Sequence, residues 1–81
     1  MGKHHKTLAA IRATPTRANL HWTDIESLLM PVGADQEEGA GSRVRFTMRK
    51  KGVVFHRPHP RPEAGKAAVE SARDCLEGVE L

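Results

Sequence analysis

Residues 41–62 read GSRVRFTMRKKGVVFHRPHPRP and contain the clearest structural pattern in the chain. Within them the apolar side chains of Val44, Phe46 and Met48 alternate with charged or polar neighbours. A period of two is typical of a β-strand that buries one face and exposes the other. Residues 53–57 are rich in β-branched and aromatic side chains, which favour a second strand. The stretch therefore predicts a β-hairpin with one apolar and one cationic face.

The loop and the end of this hairpin are also marked in the sequence. Lys50, Lys51 and Gly52 interrupt the alternation, and glycine adopts the positive φ that a short hairpin loop requires. Three prolines follow within residues 58–62. Because proline has no N–H to donate to a strand ladder, they predict that the second strand ends there.

Positive charge is concentrated in the same stretch. Residues 41–62 hold seven of the thirteen Lys and Arg residues and none of the ten Asp and Glu residues. The rest of the chain has six bases and ten acids, so its net charge is −4 against +7 in the hairpin. Because affinity for an anion depends on where charge lies, the hairpin is predicted to bind a polyanion.

Length and composition predict one small soluble domain. The chain has 81 residues and a single cysteine, Cys75, which excludes an internal disulfide and is predicted to be a small buried hydrophobic residue. No signal peptide and no apolar run of about twenty residues is present, so a cytoplasmic location without membrane insertion is expected. No metal site or cofactor is predicted, because cysteine pairs are lacking and Glu63 is the only acid near His56 and His59.

A helix is predicted within residues 19–32. Its apolar side chains have the i, i+3, i+4, i+7 spacing of a single helix face, namely Ile25, Leu28, Leu29 and Val32. Thr23 and Glu26 fit a capping box, which places the N-cap at Thr23. Pro31 and Gly33 then predict the end of the helix.

The remaining elements complete an α+β fold. Residues 34–38, ADQEE, are predicted to be an edge strand whose charges discourage stray pairing. A second helix is predicted over residues 63–79, with Val69, Ala72, Leu76 and Val79 on one side. The resulting order, α-β-β-β-α, predicts a three-stranded antiparallel sheet with two helices on one face. The opposite face is then cationic and open to solvent.

Residues 1–18 are interpreted as an extension to a domain formed by residues 19–81. Leu8 and Ile11 allow a short amphipathic helix over residues 3–13, which Pro15 would end. The same residues also fit a weakly ordered arm, and the sequence does not choose between these interpretations.

Four short motifs occur in order along residues 19–81. They are Trp22-Thr23-Asp24-Ile25 before a helix that ends at Gly33, Gly41-Ser42 before the second strand, Val54-Phe55-His56-Arg57-Pro58-His59-Pro60 at the end of the third, and Lys66 with Val69 and Leu76 in the last helix. Together they resemble the HicA toxins of bacterial toxin–antitoxin pairs, whose fold is similar to a double-stranded-RNA-binding domain.

The resemblance implies a function. A HicA-type toxin binds and cleaves mRNA without a metal ion and is neutralised by a HicB-type antitoxin, in a complex where oligomers can form. In that family a histidine typically follows Gly-Ser and is held responsible for cleavage, whereas this chain has Arg43 there. This departure favours one alternative, a non-catalytic RNA- or partner-binding module on the same fold. A second alternative is a small adaptor whose acidic termini and basic hairpin mediate self-association without nucleic acid.

Candidate catalytic residues follow from the chemistry of RNA cleavage. Without a metal ion, cleavage requires a base, an acid and positive charge at the phosphate. His56 and His59 are the acid–base candidates because imidazole titrates near neutral pH, and Arg43 is the candidate for the phosphate. On an extended strand the two histidines point to opposite faces, so at most one shares a face with Arg43. Structural roles for both histidines remain open.

Candidate RNA-binding residues surround these positions. They are Ser42, Arg43, Arg45, Arg49, Lys50, Lys51, Arg57 and Lys66. Phe46 is the only aromatic residue within the basic row and is predicted to point inward, which favours contacts to the RNA backbone over base stacking. A merely solvated face is one alternative interpretation. A docking surface for an acidic antitoxin segment, on the basic face or on a sheet edge, is another.

Overall fold

A computed structural model of the chain describes residues 2–48, 50–58 and 61–79. In this part of the chain three helices and three strands form one α+β unit. They are α1 (Lys3–Arg12), α2 (Trp22–Leu29), β1 (Asp35–Glu38), β2 (Arg43–Met48), β3 (Lys51–His56) and α3 (Lys66–Cys75). The predicted fold class and the order helix, strand, strand, strand, helix are confirmed.

The three strands form an antiparallel sheet in the order β1-β2-β3, with β2 in the centre. Val44, Phe46 and Met48 on β2 are buried, whereas Arg43 and Arg45 are exposed. The alternation in the sequence therefore corresponds to an inner face that contacts the helices and an outer face that is open to solvent.

The core lies between the inner sheet face and the helices. Its centre is an aromatic cluster in which the ring of Trp22 lies 5.1 Å from that of Phe55 and 6.4 Å from that of Phe46. The two phenylalanines contact each other edge to face at 5.9 Å. Val69 of α3 is fully buried in the same hydrophobic core. Edge-to-face and tilted rings are favourable arrangements beyond the area that they bury.

The N-terminal extension forms a helix that shares this core. Leu8 and Ile11 of α1 are buried, and α1 packs against α2 and α3. Arg12 donates hydrogen bonds to the carbonyl oxygens of Leu76 and Val79, at 3.2 and 2.6 Å, just beyond the end of α3. These bonds connect the end of α1 to the turn that follows α3. Of the two interpretations of the extension, the structure has the helix.

Arg73 makes the converse contact, from α3 to the end of α1. Its guanidinium donates to the carbonyl oxygens of Ile11 and Ala13, at 3.0 and 3.1 Å, and to the hydroxyl of Thr16 at 3.0 Å. Each helix therefore supplies an arginine that binds the C-terminal carbonyl groups of the other.

The predicted capping box at Thr23 is wrong. Helix α2 begins at Trp22, its N-cap position is His21, and no side chain caps it. The cause is tertiary: the Trp22 N–H donates to the carbonyl of Pro62 at 2.9 Å, and His21 forms a β-bridge with Glu63. This backbone pairing with the segment before α3 sets where the helix begins.

The second strand of the hairpin begins two residues earlier than predicted. Met48 and Lys51 are paired across the strands, so β3 already begins at Lys51. Lys50, with φ of 65°, takes the left-handed conformation that was expected of Gly52. Gly52 instead lies within β3, opposite Thr47. Pairing in this register keeps Met48 in the core, where it is 7% exposed.

Candidate nucleic-acid interface

The outer face of the sheet brings together several of the predicted site residues. Arg43 is paired with His56 and Arg45 with Val54 across β2 and β3, and all four are exposed. Because paired residues of neighbouring strands point to the same face, His56 shares the outer face with both arginines. His56 therefore meets the geometric condition set by the sequence.

Arg43 and His56 form the kind of antiparallel pair in which the two side chains are closest. The Arg57 N–H donates to the carbonyl of Ser42 at 2.9 Å, which makes the pair next to Arg43 and His56 a hydrogen-bonded one. The bonding alternates along an antiparallel ladder, so Arg43 and His56 form a non-hydrogen-bonded pair. In such a pair the Cα atoms are about 4.5 Å apart and the side chains are closest. A cation and an imidazole thus extend side by side into solvent.

Gly52 makes room for the side chain of Arg45. A Cβ atom at Gly52 would lie 2.6 Å from Nη2 and 2.7 Å from Nε of Arg45. The guanidinium therefore lies against the backbone of β3 at this glycine, on the hairpin-tip side of its partner Val54. Sequence reasoning assigned Gly52 to the loop and missed this contact, which depends on the register between two strands.

Strand β1 makes the outer face less cationic than predicted. Glu37 is paired with Arg45, and Asp35 is paired with Thr47. These two acids therefore share the outer face with the arginines, on the opposite side of β2 from β3. The cationic part of the face is limited to β2, β3 and the hairpin tip.

A cavity of about 290 Å³ opens between the two parts of this face. Its lining includes the arginines at 43 and 45, Val54, and residues 37–40 at the end of β1 and in the turn that follows. The cavity thus has cationic and apolar side chains on one side and carboxylates on the other. Such a site accommodates a group that carries both a negative charge and a hydrogen-bond donor, as a nucleotide does.

Arg57, a predicted RNA-binding residue, is already engaged by two carboxylates. Its Nη1 lies 2.7 Å from Oε1 of Glu38, and its Nη2 lies 2.9 Å from Oε2 of Glu26. These hydrogen bonds, first with Glu38 and then with Glu26, raise the pKa of the Arg57 guanidinium. The hydrogen bond from Arg57 in turn lowers the pKa of Glu38. Glu26, which was expected to cap α2, joins that helix to the end of β3 instead.

The other predicted contacts lie at both ends of the sheet. Lys50 and Lys51 are exposed at the hairpin tip, and Ser42 and Lys66 are exposed near the opposite end. Five residues of β2 separate Arg43 from the tip, a length of roughly 17 Å at the usual strand rise. The predicted residues Arg49 and His59 lie outside the described part of the chain.

The described residues give three further results. Among residues 2–48, 50–58 and 61–79, no three His, Cys, Asp or Glu side chains are placed to hold one metal ion. Over the same residues, every helix is too short or too polar to cross a lipid bilayer. Cys75 is buried, as predicted, and burial raises the pKa of its thiol.

Fold and surface together define a small α+β domain with exposed arginines on an open sheet face. A family model described as the HicA toxin of bacterial toxin–antitoxin systems matches residues 22–76, which is more than half of the chain. The chain therefore belongs to the HicA toxin family, in agreement with the motifs in its sequence. The match begins at the first residue of α2, so α1 lies outside it. Searches of curated proteins and of solved structures returned no match.

Proposed function

We propose that this toxin binds RNA on the outer face of β2 and β3 and cleaves mRNA without a metal ion. We further propose that a HicB-type antitoxin neutralises it and that it acts in the cytoplasm, where mRNA is translated. The observation that carries the proposal is the pairing of Arg43 with His56 on an exposed face. These side chains supply the positive charge and the titratable group that the reaction requires.

The reaction is a transfer of the phosphate from one ribose oxygen to another. The 2′-oxygen attacks phosphorus, the bond to the 5′-oxygen breaks, and a 2′,3′-cyclic phosphate and a 5′-hydroxyl result. A base accepts the proton of the 2′-hydroxyl and an acid donates one to the leaving oxygen. We assign one of these roles to His56. We propose His59 for the other, because β3 ends at His56 and the alternation of a strand does not extend to residue 59. Arg43 would hold the non-bridging phosphate oxygens as negative charge develops on them.

The position of His56 compensates for the arginine in the Gly-Ser-Arg motif. Arg43 occupies the position at which the family typically has its histidine, and His56 is its direct partner on β3. Neighbouring strands are about 4.8 Å apart, so the imidazole is displaced by one strand and remains on the same face. This chain would therefore retain an acid–base group beside the scissile phosphate.

The remaining basic residues would bind the RNA backbone. Arg45, which lies against Gly52, would extend the contact toward Lys50 and Lys51 at the tip. Ser42, Arg49 and Lys66 complete the proposed set. Arg57 is the weakest member, because contact with RNA would break its ion pairs with Glu26 and Glu38.

Cleavage of a defined RNA tests the catalytic part of the proposal. The wild-type chain, His56→Ala and His59→Ala would be incubated with a 5′-labelled RNA in the presence of EDTA. We expect cleavage by the wild type with cyclic-phosphate ends, and a loss of about 100-fold or more for His56→Ala. His21→Ala removes another exposed histidine, in the N-cap position of α2, and is the matched control. Equal cleavage by His56→Ala and His21→Ala would disprove the role of His56.

A non-catalytic RNA-binding module is the second candidate. The arginine at position 43 favours it, because arginine is always protonated and cannot replace histidine as a base. In the same assay this candidate predicts RNA binding by the wild type without any cleavage. Binding that depends on Arg43 and Arg45 would then remain the function of the outer face.

A further inference from the structure

The backbone of β3 presents hydrogen-bonding groups toward the side away from β2. In the ladder between β2 and β3, the bond from Arg57 to Ser42 sets the alternation. Phe55 therefore forms a hydrogen-bonded pair with Val44, and Val53 forms one with Phe46. The alternate residues of β3 therefore direct N–H and C=O groups outward; they are Gly52, Val54 and His56. Within the described residues no strand pairs with this side of β3.

The two edges of the sheet differ in their protection. Strand β1 has the sequence DQEE, and all four of its residues are exposed. Such charges discourage the addition of another strand. Strand β3 has the sequence KGVVFH, contains no acid, and exposes 52% of Val54. An apolar edge of this kind favours pairing with another chain.

A groove runs beside the β3 edge. It has a volume of about 220 Å³ and lies between Phe55 and His56 on one side and α3 on the other. The lining from the α3 side consists of small side chains: Ala64, Ala67, Ala68 and Ser71. Small side chains leave space for the inward-pointing residues of an added strand. The added strand would cover this face of α3 in the same way that β2 and β3 cover the rest of the core.

The charge around the groove indicates what kind of segment fits. Residues 51–71, which include β3 and every residue that lines the groove, contain four bases and two acids. One of these bases, Arg57, is paired with Glu26 and Glu38, so the net charge around the groove is only moderately positive. A second copy of this chain is a poor occupant, because its β3 would bring a second Lys51, and no acid, against the first β3. Its β1 is acidic but has no apolar side chain to place in the groove. The fitting segment alternates apolar residues, for the groove, with acidic residues, for the basic surroundings.

We propose that the β3 edge is a strand-addition site for an extended apolar and acidic segment of a partner protein. Identifying this partner as the antitoxin rests on the function proposed above. A segment on this edge lies next to His56, whose side chain is on the outer face and whose backbone is on the edge. Binding of the partner would therefore restrict access of RNA to the Arg43 and His56 pair.

The test uses a library of random ten-residue linear peptides displayed on phage and selected against the full chain. We expect enrichment of peptides that alternate β-branched and acidic residues. In amide NMR spectra of the chain, a synthetic copy of such a peptide would shift signals of β3 and of residues 67–71. Its Kd would be measured by fluorescence anisotropy for the wild type and four variants.

Two variants remove the site and two are their matched controls. Val54→Pro removes an outward N–H, and Ala67→Glu fills the groove with a negative charge; each would weaken peptide binding about tenfold. Gln36→Pro makes the same backbone change on the β1 edge, where Gln36 also belongs to a non-hydrogen-bonded pair. Ala9→Glu makes the same side-chain change at an exposed position of α1. Both controls would bind as the wild type does, and circular dichroism would verify folding of all four.

Several results would overturn the inference. They are the absence of enriched peptides, the enrichment of basic or proline-rich peptides, and equal binding by wild type, Val54→Pro and Ala67→Glu. A dimer of the chain alone that Val54→Pro or Ala67→Glu abolishes in sedimentation would make the second copy the occupant. RNA cleavage by the same wild-type preparation is measured separately. If it fails while the peptide binds, the proposed enzyme activity is lost and the edge site remains.

Discussion

The two faces of β2 differ in nearly every property although their residues alternate along six positions. On the inner face Val44, Phe46 and Met48 are buried among helices. On the outer face Arg43 and Arg45 are exposed, and their strand partners are His56 and Val54. One strand thus contributes to the stability of the fold on one side and to a candidate RNA surface on the other. Substitutions on the two faces should therefore separate stability from binding.

The largest effect is expected on the inner face. Phe46→Ala removes a ring that contacts both Trp22 and Phe55, and it should lower the free energy of unfolding by about 3–5 kcal/mol. For a domain of this size that is a large part of the total stability. Urea denaturation followed by tryptophan fluorescence would measure it. Val54→Ala on the exposed side of the same hairpin should change stability by less than about 0.5 kcal/mol; equal losses would contradict the comparison.

The second effect belongs to the outer face. Arg43→Ala combined with Arg45→Ala should leave the free energy of unfolding nearly unchanged, because both side chains are exposed. RNA affinity should fall, and the slope of log Kd against log salt should decrease by about 1.5, as expected for two lost phosphate contacts. Titrations at several salt concentrations would measure this slope.

The control for the arginines has the same change in charge elsewhere. Lys6 and Arg17 are exposed near α1, on the helix side of the molecule. Replacing both with alanine removes two positive charges but leaves the outer sheet face intact. If this variant flattens the salt dependence as much as the Arg43 and Arg45 variant does, RNA binding depends on overall charge and not on the outer face.

A smaller effect is expected where the outer face depends on a glycine. Gly52→Ala would place a methyl group within 2.6–2.7 Å of Arg45 and force its guanidinium away from β3. The obstructing atoms belong to a flexible side chain, so the strand should keep its pairing. RNA affinity should fall by about two- to threefold, less than for removal of both arginines. Gly2→Ala, at a position with open space around it, is the control; unchanged affinity for Gly52→Ala would disprove the role of the Arg45 position.

The sequence predicted the features that depend on local pattern. Alternation over residues 44–48 was enough to identify β2 and its two faces, and helical spacing was enough to place α2 and α3. The start of α2 was wrong because backbone bonds from a distant segment, Pro62 to Trp22, determine it. The position of Arg45 over Gly52 and the engagement of Arg57 depend on register and on contacts between distant elements, which local spacing does not encode. The proposed role of His56 depends on local pattern and on register together, since only the register makes His56 the partner of Arg43.

The smallest effect concerns the ion pairs at the rim of the sheet, where Arg57 connects Glu38 of β1 with Glu26 of α2. The hydrogen bond from Arg57 lowers the pKa of Glu38 below its ordinary value of 4.5. The contribution of this carboxylate to stability is therefore fully present above pH 4.5 and is lost as pH falls through the lower value in the folded protein. Thermal melts of the wild type and Glu38→Gln at pH 7 should show a small difference, because Glu38 is well exposed. The difference should shrink as the pH is lowered from 4.5 and vanish once Glu38 is protonated in the folded protein. A difference that persisted at low pH would mean that Glu38 acts through a neutral hydrogen bond and not through its charge. The rim of the sheet would then contribute to the packed fold as the inner face of β2 does.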